Sequence, residues 1–224
     1  MLVLSWNLFH GRAKPAAGRP LAVEFSRALA GWAWDVALLQ EVPPWWPGPL
    51  GAAAGASARM ALTSRNAGMP ARRAIASRNP DLLAAAGGGC NAILVRGARV
   101  VEHRTRTLTR RPERRVMHGV SLDGLGWVVN LHASTHPAQQ RRADLLGAAS
   151  TALEWAGSGP LLFGGDLNST RPAMPGLTHV GGVHVDHFFV AGGLEGGGAV
   201  EVLDAGVLSD HAPVRVAIRT STAH

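Results

Sequence analysis

Tyrosine is absent from the 224-residue chain, lysine occurs once (Lys14) and cysteine once (Cys90). A lone cysteine excludes an internal disulfide framework and any cysteine-based zinc cluster. No apolar run reaches the roughly 18 residues that a membrane-spanning helix needs. The N-terminus carries neither the basic region nor the cleavage pattern of a secretory leader, and a strand-like run begins at Leu2, so a cytoplasmic protein is expected. Charge is also sparse, at 17% of residues against 46% hydrophobic, which excludes a disordered polyelectrolyte. No linker-like stretch interrupts the chain, and its length suits one substantial core. The expectation is a single domain over residues 1–224, working as a monomer.

What the chain does have is arginine. Lys+Arg number 22 against 15 Asp+Glu, a net charge of +7, and every cation but Lys14 is Arg. Such a surface suits polyanions. Arginine in an Ala-, Gly- and Pro-rich composition also follows from compositional bias, so charge by itself identifies no partner.

Apolar periodicity organises the rest. Leu2 to Asn7 reads as a first buried strand, Leu21 to Trp32 as an amphipathic helix, and Val36 to Glu41 as a second strand. Residues 43–89 show no pattern that places an element. Strands are expected at Ala92–Val95, Val100–Leu108, Val116–Leu122, Trp127–Leu131, Pro160–Phe163, Val183–Val190, Val200–Leu203 and Pro213–Ile218, and a second amphipathic helix at Ala138–Ala156. Many strands and few helices, in mixed hairpin and crossover order, point to an α+β fold. The expected architecture is a four-layer α/β sandwich of two packed mixed β-sheets flanked by helices.

Polar residues recur at one kind of place, around the ends of these short apolar strands. Asn7, Glu41, His132, Asp166 and Asn168 each follow such a run, Asp186 lies within one, and Asp210-His211 precedes the last. Strand ends hold side chains from distant segments rigidly in one cleft. Carboxylates gathered there repel one another unless a cation sits among them, and an all-oxygen ligand set favours a hard divalent ion, most simply Mg²⁺. Singly, each residue has a plainer account: Asn7 as a turn cap, Glu41 as a solvated strand-end charge, Asp166 and Asn168 as turn residues.

Taken together the motifs resemble the endonuclease/exonuclease/phosphatase superfamily, with its deoxyribonuclease I-like fold. They are Ser5-Trp6-Asn7, Leu39-Gln40-Glu41-Val42, Cys90-Asn91-Ala92-Ile93-Leu94, Val129-Asn130-Leu131-His132, Gly165-Asp166-Leu167-Asn168, Val185-Asp186-His187-Phe188 and Ser209-Asp210-His211-Ala212-Pro213. The resemblance implies a Mg²⁺-dependent hydrolase, with Mn²⁺ as a substitute, acting on phosphodiesters. It implies Glu41 as the principal metal carboxylate, with Asn7 and Asp210 close to the ion or reaching it through water. Asp166 and Asn168 would position the attacking water and a phosphate oxygen. His211, oriented and kept cationic by Asp186, would contact the phosphoryl oxygen, with His132 as a second histidine beside it. Asn91, Arg114 and Arg115 are the expected substrate contacts.

Nucleic acid is the expected substrate class. A phosphatase or diesterase acting on phospholipid, inositol phosphate or another small ester stays open, as does a non-catalytic basic nucleic-acid-binding module. The absence of tyrosine argues against an abasic-site repair enzyme of this superfamily, and residues between Glu41 and Asn91 show no clear specificity insertion. His10, His103, His118, His136, His179 and His184 read as surface or packing residues, with His184 expected to share a strand face with Asp186. Trp45-Trp46 beside Glu41 could stack bases or touch lipid, while one of the pair is expected to pack against the following helix. Arg72-Arg73, Arg110-Arg111 and Arg141-Arg142 are candidates for a phosphate-tracking rim.

Overall fold

A computed structural model describes residues 1–64, 66–83 and 88–221. Two mixed sheets pack face to face. The first has seven strands in the order β11 (Leu194–Gly196), β13 (Val214–Thr220), β1 (Leu2–Asn7), β2 (Val36–Val42), β4 (Cys90–Val95), β3 (Ser57–Leu62), with β12 (Glu201–Val202) also paired to β13. The second has six, ordered β5 (Val100–Thr109), β6 (Arg115–Leu122), β7 (Gly126–His132), β8 (Leu161–Asp166), β10 (Asp186–Ala191), β9 (Thr178–Val183).

Three apolar layers hold the sandwich together. Val3, Leu38, Ile93, Val128, Leu162 and Phe188 fill the space between the sheets. Trp6, Phe25 and Leu29 belong to the layer that covers the outer face of the first sheet with α1 (Ala22–Gly31) and α2 (Pro47–Ala53). Leu145, Ala149 and Phe163 do the same for the second sheet with α4 (Ala138–Ala156). The expected four layers are present. The unpatterned segment after Glu41 supplies α2, β3 and α3 (Met69–Ala76), and α3 buries none of its residues.

Alternation along each strand explains where the polar residues go, because side chains two apart share a face. On the face turned toward the opposite sheet, Val3 is followed by Ser5 and Asn7, Leu38 by Gln40, Val128 by Asn130 and His132, and Leu162 by Asp166; Asp186 precedes Phe188 and Val190 on an antiparallel strand. The interior between the sheets is therefore apolar at one end and polar at the other. Asn130, fully buried, bridges the two sheets: its amide donates to Leu39 O and Ala92 O at 2.9 Å each, and its Oδ1 accepts from Gln40 Nε2 at 2.8 Å. Asn130→Ala strands these partners without water, so a loss of roughly 2–4 kcal/mol is expected. A melting temperature lower by about 5–15 °C would report it; a drop below about 1 °C would show the bridge to be dispensable.

One element differs from the sequence reading. Residues 183–190 are not a single strand: β9 and β10 form an antiparallel hairpin in which Val183 pairs with Asp186, leaving His184-Val185 as a two-residue turn. His184 takes φ +54° there and does not share a strand face with Asp186. The alternation that suggested one strand breaks at this turn, and Asp186 gains the first, buried position of β10.

Candidate active site

Each sheet contains one parallel pair joined by a helical crossover: β1 and β2 through α1, β7 and β8 through α4. Parallel strands carry their carboxyl ends to one edge, the place where open α/β sheets gather ligand-binding groups. In register, Asn7 stands opposite Gln40, and His132 opposite Asp166. Stacking of the sheets brings the two edges together, and Asn7 Nδ2 donates to Asp166 Oδ2 across the gap at 3.0 Å.

Asp166 is the hub. It is 1% exposed, and Oδ1 accepts the Asn168 backbone N–H at 3.0 Å. Oδ2 lies 3.6 Å from His132 Nε2 and 3.9 Å from His211 Nε2, beyond hydrogen-bond length but well inside electrostatic range. The chain can pass here because Gly165 precedes Asp166: at φ +131° a Cβ would come within 2.1 Å of Leu131 O on the neighbouring parallel strand. Asn168, itself at φ +50°, donates from Nδ2 to Ala133 O at 3.0 Å, which ties the loop after β8 to the loop after β7.

The two histidines are held in opposite protonation states. Burial drives the His132 imidazole down to about 3, with the Asp166 charge too weak a counterweight and Arg115, His211 and His10 pushing the same way as burial. Burial also disfavours the charged form of His211. There the hydrogen bond to Asp186 and the charges of Asp166, Asp186 and Asp210 outweigh it and lift the pKa to about 9. Asp186 Oδ2 faces His211 Nδ1 at 3.3 Å, while Ser5 Oγ donates to Asp186 Oδ1 at 3.0 Å. Ser209 fixes the same loop, its hydroxyl donating to Asn7 O at 2.6 Å and accepting the His211 N–H at 3.1 Å.

Glu41 reaches the site by a different device. Between Leu39 and Val42 the pairing of β2 with β4 slips, and Glu41 adopts φ +49°. Leu39 and Val42, three residues apart, both pack under α1 and α2, so the extra residue is lifted out of the ladder. Its carboxylate opens into a recess of about 390 Å³ shared with His10, Arg114, Arg115 and His132. Arg115 Nη2 pairs with Glu113 Oε2 at 2.6 Å, while its buried Nε has no hydrogen-bond partner among the described residues. Among the described residues, non-glycine positions with positive φ fall at Phe9, His10, Glu41, Asn168, His184 and Ser209, around this one edge. Backbone strain kept in one place by surrounding structure is characteristic of functional sites.

The structure thus joins Asn7, His132, Asp166, Asn168, Asp186 and His211 in one network, and Glu41, Arg114, Arg115 and His132 in the adjoining recess. Asp210 is exposed and lines a second recess with Asp186 and His211. Asn91 is not brought to either recess: it is buried between the sheets, donating to Val116 O at 2.9 Å. Among the described residues, no three His, Cys, Asp or Glu side chains form a protein-only metal cage. Mg²⁺ does not need one, since one or two carboxylates, water and substrate phosphate complete its octahedron. The strained Glu41 carboxylate, facing a polar recess beside the oxygen-bearing Asn7 network, suits that coordination chemistry.

Two histidines matter more than the sequence pattern suggested. His10, expected at the surface or in packing, places Nε2 3.1 Å from Glu41 Oε2 and Nδ1 2.9 Å from Gly88 O. Its signal was its place three residues after Asn7. His187, within the Val185-Asp186-His187-Phe188 motif, faces both Ser169 O and His184 O at 3.0 Å through Nε2. That nitrogen must carry the proton, leaving Nδ1 to accept from His179 Nε2 at 3.1 Å. His187 thereby clamps the loop after Asn168 to the turn before Asp186.

Residues 4–211 match the sequence model described as the Endonuclease/Exonuclease/phosphatase family. No curated protein sequence matches the chain significantly. Among solved structures, a mannosyl-6-phosphatase from Bacteroides thetaiotaomicron VPI-5482 superposes with a TM-score of 0.70 at 15% identity, over 98% of this chain and 99% of that one. An endonuclease/exonuclease/phosphatase from Bacteroides vulgatus gives 0.73 at 16% identity, covering 98% of each chain. TDP2 from Caenorhabditis elegans gives 0.67 at 15% identity, over 99% of this chain and 74% of that one. At these identities the likeness is one of fold.

Proposed function

The chain belongs to the endonuclease/exonuclease/phosphatase family, and from that premise we propose that it is a divalent-metal-dependent phosphoesterase that hydrolyses phosphodiester bonds, with nucleic acid as its substrate class. Residues 1–224 are taken as one catalytic domain. The observation that carries the reading is Asp166: one buried carboxylate flanked by a neutral imidazole, His132, and a cationic one, His211. Titratable neighbours driven to opposite protonation states are what acid–base chemistry at neutral pH requires.

Glu41 would hold the ion, with Asn7 and Asp210 contributing directly or through water. When bound, Mg²⁺ supplies positive charge to the non-bridging oxygens and to the departing oxygen. The chain's own groups do the rest. The Asp166 carboxylate aligns a water and accepts its proton as the new O–P bond forms and the ester P–O bond breaks. Asn168 holds the loop that aims it. His211 donates a hydrogen bond from Nε2 to a phosphoryl oxygen whose negative charge grows toward the transition state, and Asp186 with Ser5 keeps that ring oriented and charged. Neutral His132 stands on the other side of Asp166, facing the recess. Arg115 Nε, buried in the same wall and without a partner among the described residues, finds its natural acceptor in a phosphate oxygen.

The test is hydrolysis of an oligonucleotide phosphodiester beside a phosphomonoester, each with Mg²⁺, with Mn²⁺ and with chelator. Turnover of the diester that chelation abolishes is expected, together with a Mg²⁺-induced rise in melting temperature that Glu41→Gln removes. Chelator-resistant turnover would sink metal dependence, and preference for the monoester would move the chain toward the phosphatases. Among the described residues no helix is long and apolar enough to cross a membrane.

A further inference from the structure

Of the two adjacent tryptophans after Glu41, only Trp46 belongs to a hydrophobic cluster among the described residues. Trp46 lies against Phe25, ring centroids 5.4 Å apart, and covers Gly11, where a Cβ would come within 2.4 Å of its ring. Trp45 takes no part in that core and stays half-buried. It forms the wall shared by two depressions. One is a groove of about 890 Å³ between Pro44-Trp45 and α3, lined opposite by Met69, Pro70, Arg73 and Ser77. The other, about 250 Å³, is lined by Trp45, Pro43, Gly88 and His10. His10 in turn contacts Glu41 at 3.1 Å and lines the catalytic recess, so the groove and that recess lie on either side of the small depression, with Trp45 as the wall on the groove side and His10 with Gly88 on the recess side.

Two features indicate the occupant. The walls are flat and apolar (an indole, two prolines, a methionine), so they match a planar ring rather than a sugar, whose hydroxyls would be left without partners. The rim is cationic: Arg73 lines the groove, and Arg72 and Arg78 lie on and just after the same helix. Helix α3 buries none of its own residues, so core packing does not account for its apolar side. A base attached to an anionic backbone satisfies both features, and stacking on an aromatic face is how single strands are gripped without sequence preference.

We propose that the groove between Trp45 and α3 is a subsite for a nucleobase flanking the scissile phosphate, stacked on the Trp45 indole with its own phosphate held by Arg73, so that the site selects base-bearing phosphodiesters. This deepens the phosphodiesterase reading and rests on it for the position of the scissile bond. The unpatterned segment between Glu41 and Asn91 then contributes substrate selection after all, through α3.

The experiment uses a short single-stranded oligonucleotide in which one nucleotide at a time is replaced by a base-free analogue. In the wild type, loss of the base at one position next to the cleaved bond should raise KM about 5- to 150-fold, the range expected for one stacked base. In Trp45→Ala that same base loss should add less than twofold, while Trp45→Phe, which keeps an aromatic face, should restore the sensitivity. Equal sensitivity in wild type and Trp45→Ala would overturn the subsite. The coupling is also read by equilibrium binding of the same oligonucleotides in chelator, so absence of any hydrolysis would fail the enzymatic reading without touching this measurement. Binding of anionic vesicles that depends on Trp45, with no dependence on bases, would reassign the groove to a lipid surface and likewise overturn it.

Discussion

Asp166→Asn is expected to lower turnover by about 10³-fold while the protein stays folded, the scale on which a positioned acid–base group contributes. The substitution keeps shape but removes the charge, and it also turns an amide toward groups that are already donors: Asn7 Nδ2 and the Asn168 backbone N–H. One of those contacts becomes donor against donor in a site that is 1% exposed, so a stability loss of about 1–3 kcal/mol should accompany the rate loss. The His211 imidazole loses one of the charges that keep it protonated. The measurements are kcat with saturating oligonucleotide and Mg²⁺, and the melting temperature. A kcat within tenfold of wild type would remove Asp166 from the chemistry.

The second large effect is on pH. His211 titrates at about 9, so the rate should hold through neutrality and fall on an alkaline limb near that value. Asp186→Asn removes the hydrogen-bonded carboxylate and should move the limb back toward the ordinary histidine value near 6.5. Stability carries the same signature with a definite sign. A pKa raised from 6.5 to about 9 means that the stabilisation from charged His211 is whole below pH 6.5 and is lost as pH climbs through 9. It amounts to at most about 3 kcal/mol, since the side chain is 24% exposed and the shift is converted at 1.36 kcal/mol per unit. His132 has the opposite sign: held at about 3, it contributes above pH 6.5 and its contribution is lost as pH falls toward 3. Urea midpoints across pH 4–10 should therefore fall on both sides of a maximum between these limits. An alkaline limb that Asp186→Asn leaves in place would show that another group titrates there.

Much of this site could be read from sequence because strand alternation is a local rule. Val3, Ser5 and Asn7, or Leu162 and Asp166, announce an inward face that turns polar at one end, and helices such as Ala138–Ala156 announce their apolar side. The elements that escaped are those whose pattern is not local. In α2, β3 and α3 the apolar residues are few, and α3 buries nothing, so no period marks it. The hairpin at His184-Val185 hid inside an apolar run because a two-residue turn costs the pattern only one break. His10 looked like a surface residue because its partner, Glu41, is reached only after the chain has crossed α1 and returned.

Residue identity alone determined which chemistry is available: carboxylates, carboxamides, imidazoles and arginines at strand ends, in one chain order, with no phenol and a single thiol, the buried Cys90. Whether those groups meet was decided by the tertiary structure. Two parallel crossovers send four strand ends to a common edge, a bulge lifts Glu41 free of its ladder, and burial keeps His132 neutral while the surrounding carboxylates overcome it at His211, although the two residue types are the same. Protonation state is a property of surroundings, because it depends on the water a group loses and the charges it gains, and those are set only when distant segments pack.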